Sequence, residues 1–245
     1  MLVHGGPGAA GTMAEIAKTI SLNRGVIEAL QTRSSIHDLL VELLGVVSQH
    51  SHPPLTLIGH SWGAWLSLLF ASKHPDLVRK LILVASGPLE EKYARKIMET
   101  RMSRLNEKDA ETLVRLMHLI NHTHDSQQDT IFLEIAELTR KADAYQHDGT
   151  PYESADFTYR NFESVWSEAE RNRSSGKLLL EAGKVNCPVV AIHGDYDPHP
   201  SKGVKLSLEK NIKDFRFILL AKCGHEPWNE LSAKDLFYNI LEQEI

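Results

Sequence analysis

Short apolar runs alternate with helical patterns along this 245-residue chain, and that alternation limits the possible folds more than any other feature. Residues 55–58 and 81–84 are almost wholly apolar, which is typical of strands buried on both faces of a parallel sheet. Residues 62–71 between them are apolar nearly all round a helical wheel and predict a buried helix. The strand pattern returns at residues 188–192 and 215–220. We therefore predict an α/β fold with a mostly parallel sheet flanked by helices and joined by right-handed crossovers.

Outer helices are predicted from capping residues and from apolar side chains that share one face. Ser35 and Asp38 form a capping pattern at the start of one helix. The inward residues of that helix are expected to be Ile36, Leu39, Leu40, Leu43 and Val47. A last helix, near residues 232–242, is expected to turn inward Leu236, Phe237, Ile240 and Leu241.

The alternation stops between residues 89 and 177, a stretch that is rich in charge and helical patterns and has no convincing strand. Asn106 can cap a helix there. One face of that helix carries Leu113, Leu116, Met117 and Ile120. We predict that residues 1–88 and 178–245 form the core and that residues 89–177 form a helical cap.

The composition excludes several classes of protein. Hydrophobic residues make up 42% and charged residues 24%, which are ordinary globular values, and the net charge is −5. A mildly acidic chain has no electrostatic reason to bind nucleic acid or an anionic membrane. No apolar run is long enough to span a bilayer. Cys187 and Cys223 lack metal-ligand spacing, and two isolated cysteines favour reduced thiols and a cytoplasmic location.

The run from Gly59 to Gly63 reads Gly-His-Ser-Trp-Gly and fits the pattern G-x-S-x-G. That pattern places a serine on a strained strand-to-helix turn, with its Oγ projecting above the sheet. A buried strand precedes Ser61 and a buried helix follows it, so we predict that Ser61 is a catalytic nucleophile. The alternative is a serine that merely caps a core helix.

An acyl-transfer site also needs hydrogen-bond donors for the oxyanion. One donor is expected to be the backbone N–H of Trp62, which follows the nucleophile. The glycine-rich loop at residues 4–8 follows an earlier strand, and Gly6 can bring its N–H close to a substrate. The alternative for this loop is a simple glycine-rich turn.

The acid and the base are expected on loops after later strands. Asp195 and Asp197 both follow the strand at residues 188–192, and we choose Asp197 because it lies deeper in the loop. Asp195 could instead brace the loop. His225 follows the last strand and can take the proton of Ser61. The chain order Ser, Asp, His is that of the α/β-hydrolases.

Other polar and aromatic residues have competing interpretations. Three histidines of the predicted cap lie close to Asp125 in the sequence: His118, His122 and His124. A solvated polar loop is favoured over a metal site there. Three more are expected near the mouth of the site as lining or supporting groups: His60, His193 and His199. Trp62, Trp65 and Trp228 could line an acyl pocket, although core packing is at least as good an explanation for Trp65.

Together these residues resemble the α/β-hydrolase superfamily, and nearly the whole chain fits its plan. Within it, the loop at residues 4–8 and Ser61-Trp62-Gly63 are similar to the prolyl iminopeptidase-like branch. The resemblance implies a core sheet, a helical cap after the sixth strand, no cofactor and a Ser-Asp-His triad. We also expect no metal site. Carried over, the triad falls on Ser61, Asp197 and His225, and the oxyanion hole on Gly6 and Trp62.

Three features depart from that branch. His60 stands where those peptidases usually have glycine, and residues 26–32 replace their Asp-Gln-Arg-Gly-like motif. The sequence also begins at what should be strand three, so the usual first two strands are expected to be missing. A strand at residues 26–30 would then form a sheet edge. Because an open edge invites pairing, we expect a second copy of the chain to cover it, as a homodimer; the alternative is a naturally lean or truncated hydrolase.

The residues thus predict a serine hydrolase of small esters or amides. The first alternative is an aminopeptidase that acts on N-terminal proline, which needs cap carboxylates to hold the substrate amine. The carboxylates available for that role are Glu153, Asp156, Glu163 and Glu168. A second alternative, of another class, is a non-catalytic protein that uses the same pocket to bind a ligand.

Overall fold

The structure is a computed structural model, and it describes residues 1–124, 126–150 and 158–245. Within these residues the strands are β1 (Leu2–Val3), β2 (Glu28–Ala29), β3 (Leu55–His60), β4 (Val78–Val84), β5 (Val189–Gly194) and β6 (Phe215–Leu220). They form one parallel sheet with the order β2-β1-β3-β4-β5-β6. The predicted α/β class is confirmed.

Helices cover both faces of this sheet. They are α1 (Ala14–Ile20), α2 (Ile36–His50), α3 (Trp62–Lys73), α4 (Glu91–Ala94), α5 (Ile97–Arg104), α6 (Glu107–Ile120), α7 (Ser126–Asp143), α8 (Tyr159–Ser174), α9 (Lys177–Ala182), α10 (Ser201–Glu209) and α11 (Lys234–Glu244). The part of the chain that the structure describes between β4 and β5 is helical and contains no strand. The division into a core and a cap at residues 89 and 177 stays a prediction.

Alternate residues of the central strands pack into two hydrophobic clusters on opposite faces of the sheet. Leu81 and Leu83 of β4 pack with α2, α3, α9 and α10, whereas Ile82 and Val84 pack with α1 and α11. Successive side chains of a strand point to opposite faces, so a strand covered on both faces must be apolar throughout. This explains the continuous apolar runs in the sequence.

Helices α2 and α3 have the features that the sequence predicts for them. The Ser35 Oγ accepts a hydrogen bond from the Asp38 backbone N–H at 3.1 Å, as the capping pattern predicts. The five apolar residues expected to face inward on α2 are all buried. In α3, every residue from Trp62 to Ala71 is buried, which confirms the predicted central helix.

One prediction of an inward residue is wrong. In α11, Phe237 and Leu241 are buried, but Leu236 is 53% exposed. A helix that lies on a sheet buries only a stripe, and Leu236 lies about 100° around the helix from Phe237. On the predicted face of α6, Leu113, Leu116 and Ile120 are buried, and Met117 is 39% exposed and borders a cavity.

The two ends of the sheet are β2 and β6 in the described part of the chain. The strand expected at residues 26–30 is thus an edge strand, although only Glu28 and Ala29 pair with β1. The homodimer expected at this edge stays a prediction. None of the helices that the structure describes is long and apolar enough to cross a membrane.

Candidate active site

Four loops meet at one edge of the sheet because all the strands run parallel, which brings their carboxyl ends together. The loops follow β1, β3, β5 and β6 and carry the predicted residues Gly6, Ser61, Asp197 and His225. Gly6, Ser61 and His225 line one cavity of about 510 Å³. Asp197 lies behind His225 and is buried.

The turn at Ser61 is strained and tightly packed. Ser61 has φ 53° and ψ −116°, and its N–H donates to the carbonyl of Val84 at 2.9 Å. A Cβ on Gly59 would lie 2.4 Å from the carbonyl oxygen of Gly63. A Cβ on Gly63 would lie 2.1 Å from the carbonyl oxygen of Val3. Both glycines are therefore needed for β1, the turn and α3 to approach one another, and the turn projects Ser61 toward the cavity.

Two backbone N–H groups beside Ser61 are available to a ligand. Gly6 adopts φ 37°, a conformation that glycine tolerates. Within the described residues, neither the Gly6 N–H nor the Trp62 N–H donates a hydrogen bond, and both residues line the cavity. Trp62 is the first residue of α3, where an N–H has no partner in its own helix.

Gln31, which the sequence patterns do not predict as a site residue, links the loop of Gly6 to Trp62. Its side-chain amide donates to the His4 carbonyl at 2.9 Å and accepts from the Trp62 indole N–H at 2.7 Å. Its backbone N–H donates to His4 Nε2 at 3.2 Å. Burial lowers the pKa of His4 to about 4, so this ring is neutral. The available signal was a polar residue two positions after β2, whose carboxyl end lies beside that of β1.

The two aspartates after β5 occupy different environments. The Asp197 Oδ2 accepts a hydrogen bond from the His225 Nδ1–H at 2.8 Å. Asp195 is exposed, and its Oδ1 accepts from the Cys223 N–H at 3.3 Å. Burial alone would raise the pKa of Asp197, but its interactions with the surrounding histidines hold that pKa well below its usual range. Asp197 is therefore ionised and Asp195 braces the loop.

His225 lies between a carboxylate and the cavity. Burial opposes its protonation, yet Asp197 outweighs burial and, with Asp143, raises the pKa of His225. No hydrogen bond joins His225 to the Ser61 hydroxyl within the described residues, although both line the cavity. Such bonds are often long in structures without substrate. The His225 backbone N–H donates to the Asp143 carbonyl at 3.1 Å, which fixes the loop against the end of α7.

His60 supports the same loop from the strand side. It is buried, and its Nε2–H donates to the His225 carbonyl at 3.0 Å. Its ring lies 4.7 Å from Trp228, edge to face, and a Cβ on Gly5 would lie 2.6 Å from its Nδ1. Burial and the nearby His225 keep the pKa of His60 well below its usual range. His60 is thus a neutral supporting group.

The wall of the cavity that the helices between β4 and β5 form is mainly apolar and aromatic. A row of aromatic rings runs from the turn at Ser61 to α8. Trp62 lies 6.3 Å from Trp65, Trp65 stacks at 5.8 Å on Trp166, and Trp166 stacks at 6.0 Å on Phe162. Trp65 itself is buried and donates to the Gly87 carbonyl, so it is core packing, as is Trp228. The apolar lining includes Met98, Met117, Ile120, Phe132, Ile135, Phe162 and Trp166.

The charged residues of the cavity wall are engaged with each other or with the backbone. Arg101 holds Asp143 with two hydrogen bonds, at 2.7 and 2.6 Å. Arg140 pairs with Glu226 at 2.8 Å. Glu230 is buried and accepts from three backbone N–H groups, which belong to Tyr145, Gln146 and Gly224. No local sequence pattern predicts these contacts, because the partners come from separate elements.

The remaining predicted groups lie away from Ser61 or outside the described residues. Glu163 is exposed and Glu168 accepts from the Ile36 N–H at 2.8 Å, so neither lines the cavity. Glu153 and Asp156 fall outside the described residues, as does Asp125. In the described residues between β4 and β5, the histidines belong to no group of three or more ligands close enough to hold a metal ion.

Comparison with known proteins finds the same architecture elsewhere. A family model for the alpha/beta hydrolase fold matches residues 1–228. No curated protein matches the sequence. The crystal structure of VinJ is similar with a TM-score of 0.66 and 18% identity, over 100% of this chain and 90% of that one.

Two further solved structures show the breadth of the likeness. Proline iminopeptidase from Mycobacterium smegmatis has a TM-score of 0.60 and 16% identity, over 99% of this chain and 88% of its own. The enol-lactonase from Burkholderia xenovorans LB400 has a TM-score of 0.60 and 17% identity, also over 99% and 88%. Identities this low show a shared fold and nothing finer.

Proposed function

Because this chain belongs to the α/β-hydrolase fold family, we propose that it is a serine hydrolase that cleaves small esters with an apolar acyl group. The superfamily and the hydrolase class predicted from the sequence are confirmed by that membership. One arrangement carries the finer proposal. Ser61, the His225–Asp197 pair and the backbone N–H groups of Gly6 and Trp62, which donate no hydrogen bond within the described residues, meet at one cavity.

The proposed reaction is acyl transfer in two steps. His225 takes the proton of Ser61 as the hydroxyl attacks the substrate carbonyl, and the N–H groups of Gly6 and Trp62 stabilise the oxyanion. His225 then protonates the leaving group and afterwards activates the water that hydrolyses the acyl-enzyme. Asp197 keeps the imidazole in the tautomer with hydrogen on Nδ1 and stabilises the imidazolium.

The cavity supports an apolar acyl group as the preferred substrate part. Its volume of about 510 Å³ suits a small molecule. Rings and aliphatic side chains of the cap form most of its wall, and they gain free energy by removing an apolar chain from water. The charged groups of the wall are already engaged, so they offer little to a charged substrate.

The aminopeptidase alternative has weaker support. A substrate amine needs a carboxylate that is free to pair with it. Of the carboxylates that line the cavity, Asp143 is held by Arg101, Glu226 by Arg140, and Glu230 by backbone N–H groups. Glu163 and Glu168 do not reach the cavity.

The proposal is tested by a panel of nitrophenyl esters, from acetate to octanoate, run beside a proline arylamide. We expect hydrolysis of the esters with kcat/KM that rises from acetate toward the medium chains, and little or no release from the arylamide. Ser61→Ala should lose this activity by a factor of at least about 10³.

The matched control is Ser48→Ala, which removes an exposed hydroxyl from α2. It should behave as the wild type does. A faster reaction with the arylamide than with every ester would overturn the ester proposal in favour of the aminopeptidase. Ester hydrolysis that survives in Ser61→Ala would overturn the role of Ser61.

A further inference from the structure

The carboxylate of Asp197 is shared by two imidazole rings. Its Oδ2 accepts from His225 Nδ1–H at 2.8 Å, and its Oδ1 lies 2.8 Å from His199 Nδ1. The rings of His199 and His225 lie 4.4 Å apart at 30°, and both residues line the cavity. The acid of the proposed triad therefore has a second histidine on its other oxygen.

The direction of the second hydrogen bond follows from the charges. Asp197 is ionised, and an ionised carboxylate only accepts, so the Nδ1 of His199 carries a hydrogen and donates it. Burial lowers the pKa of His199 to about 4 despite the nearby carboxylate. His199 is therefore neutral near pH 7 and remains a donor of one hydrogen bond.

The backbone around His199 is fixed independently of its ring. The His199 N–H donates to the same Asp197 Oδ1 at 2.9 Å. The buried His193 donates from Nε2 to the His199 carbonyl at 2.8 Å. Pro198 and Pro200 flank the residue and restrict its backbone further. The ring is thus held against Oδ1 by its surroundings.

We infer that His199 is a positioning residue for the proposed reaction. Its Nδ1–H orients the carboxylate of Asp197 and weakens the electrostatic attraction between that carboxylate and the protonated ring of His225. A donor on Oδ1 stabilises the carboxylate charge, so less of that charge acts on the imidazolium at Oδ2. The inference rests on the proposed function, because it takes His225 as the base.

Other titratable and charged groups also lie close to His225 and Asp197. His225 is near the Arg101–Asp143 pair and the neutral His60, and its own loop carries Glu226, which pairs with Arg140. Asp197 is also approached by His193 Nε2 at 3.5 Å. A change at His199 leaves all of these groups in place, so its effect can be separated from theirs.

The test compares His199→Phe with His199→Asn. Phenylalanine keeps a ring against His225 but removes the donor, whereas the amide nitrogen of asparagine can replace Nδ1–H. In His199→Phe we expect the pKa of His225, followed by NMR of the imidazole nitrogens, to rise by about half to one unit. The acid limb of the kcat/KM profile should move with it, kcat should fall about tenfold, and KM should stay within about twofold. His199→Asn should restore most of each change.

An unchanged or lowered pKa of His225 in folded His199→Phe would overturn the inference, as would an asparagine variant as impaired as the phenylalanine variant. Thermal unfolding of both variants checks that they are folded. The NMR titration needs no substrate, so it stands apart from the proposed function. If the wild type cleaved no ester while the pKa of His225 still rose, the proposed function alone would fail.

Discussion

The substitution Gly63→Ala tests how the turn at Ser61 and the loop of Gly6 depend on each other. A Cβ at this position would lie 2.1 Å from the carbonyl oxygen of Val3 and 2.4 Å from that of His4. Contacts of a Cβ below 3.0 Å essentially never occur, so the end of β1 and the start of α3 must separate by about 0.9 Å. The displaced segment leads directly into Gly5 and Gly6, and therefore into one proposed oxyanion donor.

The size of the effect follows from two opposing contributions. Overpacking costs about 1–3 kcal/mol, and a clash with backbone atoms places Gly63→Ala at the upper end of that range. Alanine in a helix returns at most about 1 kcal/mol relative to glycine. We expect a net loss of about 2 kcal/mol in the free energy of unfolding. Moving an oxyanion donor by about 1 Å should lower kcat about 100-fold.

The matched control is Gly45→Ala in α2, where a Cβ meets nothing within 4 Å. It should raise the free energy of unfolding by up to about 1 kcal/mol and leave kcat unchanged. Urea unfolding and ester hydrolysis measure both variants. If Gly63→Ala were as stable and as active as Gly45→Ala, the close packing of β1 against α3 would be refuted.

Three other predictions concern the base, the contacts of Gln31 and the aromatic wall of the cavity. The kcat/KM of the wild type should increase with pH through a pKa above about 6.5, because His225 must be neutral to accept a proton and Asp197 raises its pKa; an acid limb below that value would contradict this. Gln31→Met removes partners from the His4 carbonyl and the Trp62 indole, and should lower the free energy of unfolding by about 2–4 kcal/mol in urea titrations. Trp166→Ala should lower kcat/KM for octanoate about tenfold and for acetate less than about twofold; equal losses would argue against an acyl pocket beside Trp166.

The sheet could be predicted from the sequence because its signals are local. The strands β3, β4 and β5 each contain a short apolar run that is buried on both faces of the sheet, and the glycines around Ser61 serve a turn of five residues. It is harder to predict which residues of an outer helix are buried, as Leu236 illustrates. Periodicity identifies an apolar stripe but leaves open how much of it contacts the sheet.

The supporting groups of the site could not be predicted, since they depend on which separate elements meet. Gln31 and Trp62 are 31 residues apart, and Arg101 and Asp143 are 42 residues apart. His199 lay near the expected mouth, but nothing local indicated that its ring would share the carboxylate of Asp197. Such contacts follow from the crossing of helices and loops in three dimensions, which patterns of single residues do not encode.

The central claim, that Ser61 is an activated nucleophile, is tested most directly by a fluorophosphonate probe read out by intact mass. We predict a single adduct on the wild type, located at Ser61, and the same adduct on Ser48→Ala. Ser61→Ala should gain none. A wild type that stays unlabelled would favour a non-catalytic ligand-binding protein, and equal labelling of Ser61→Ala would place the nucleophile elsewhere; either result would contradict the account.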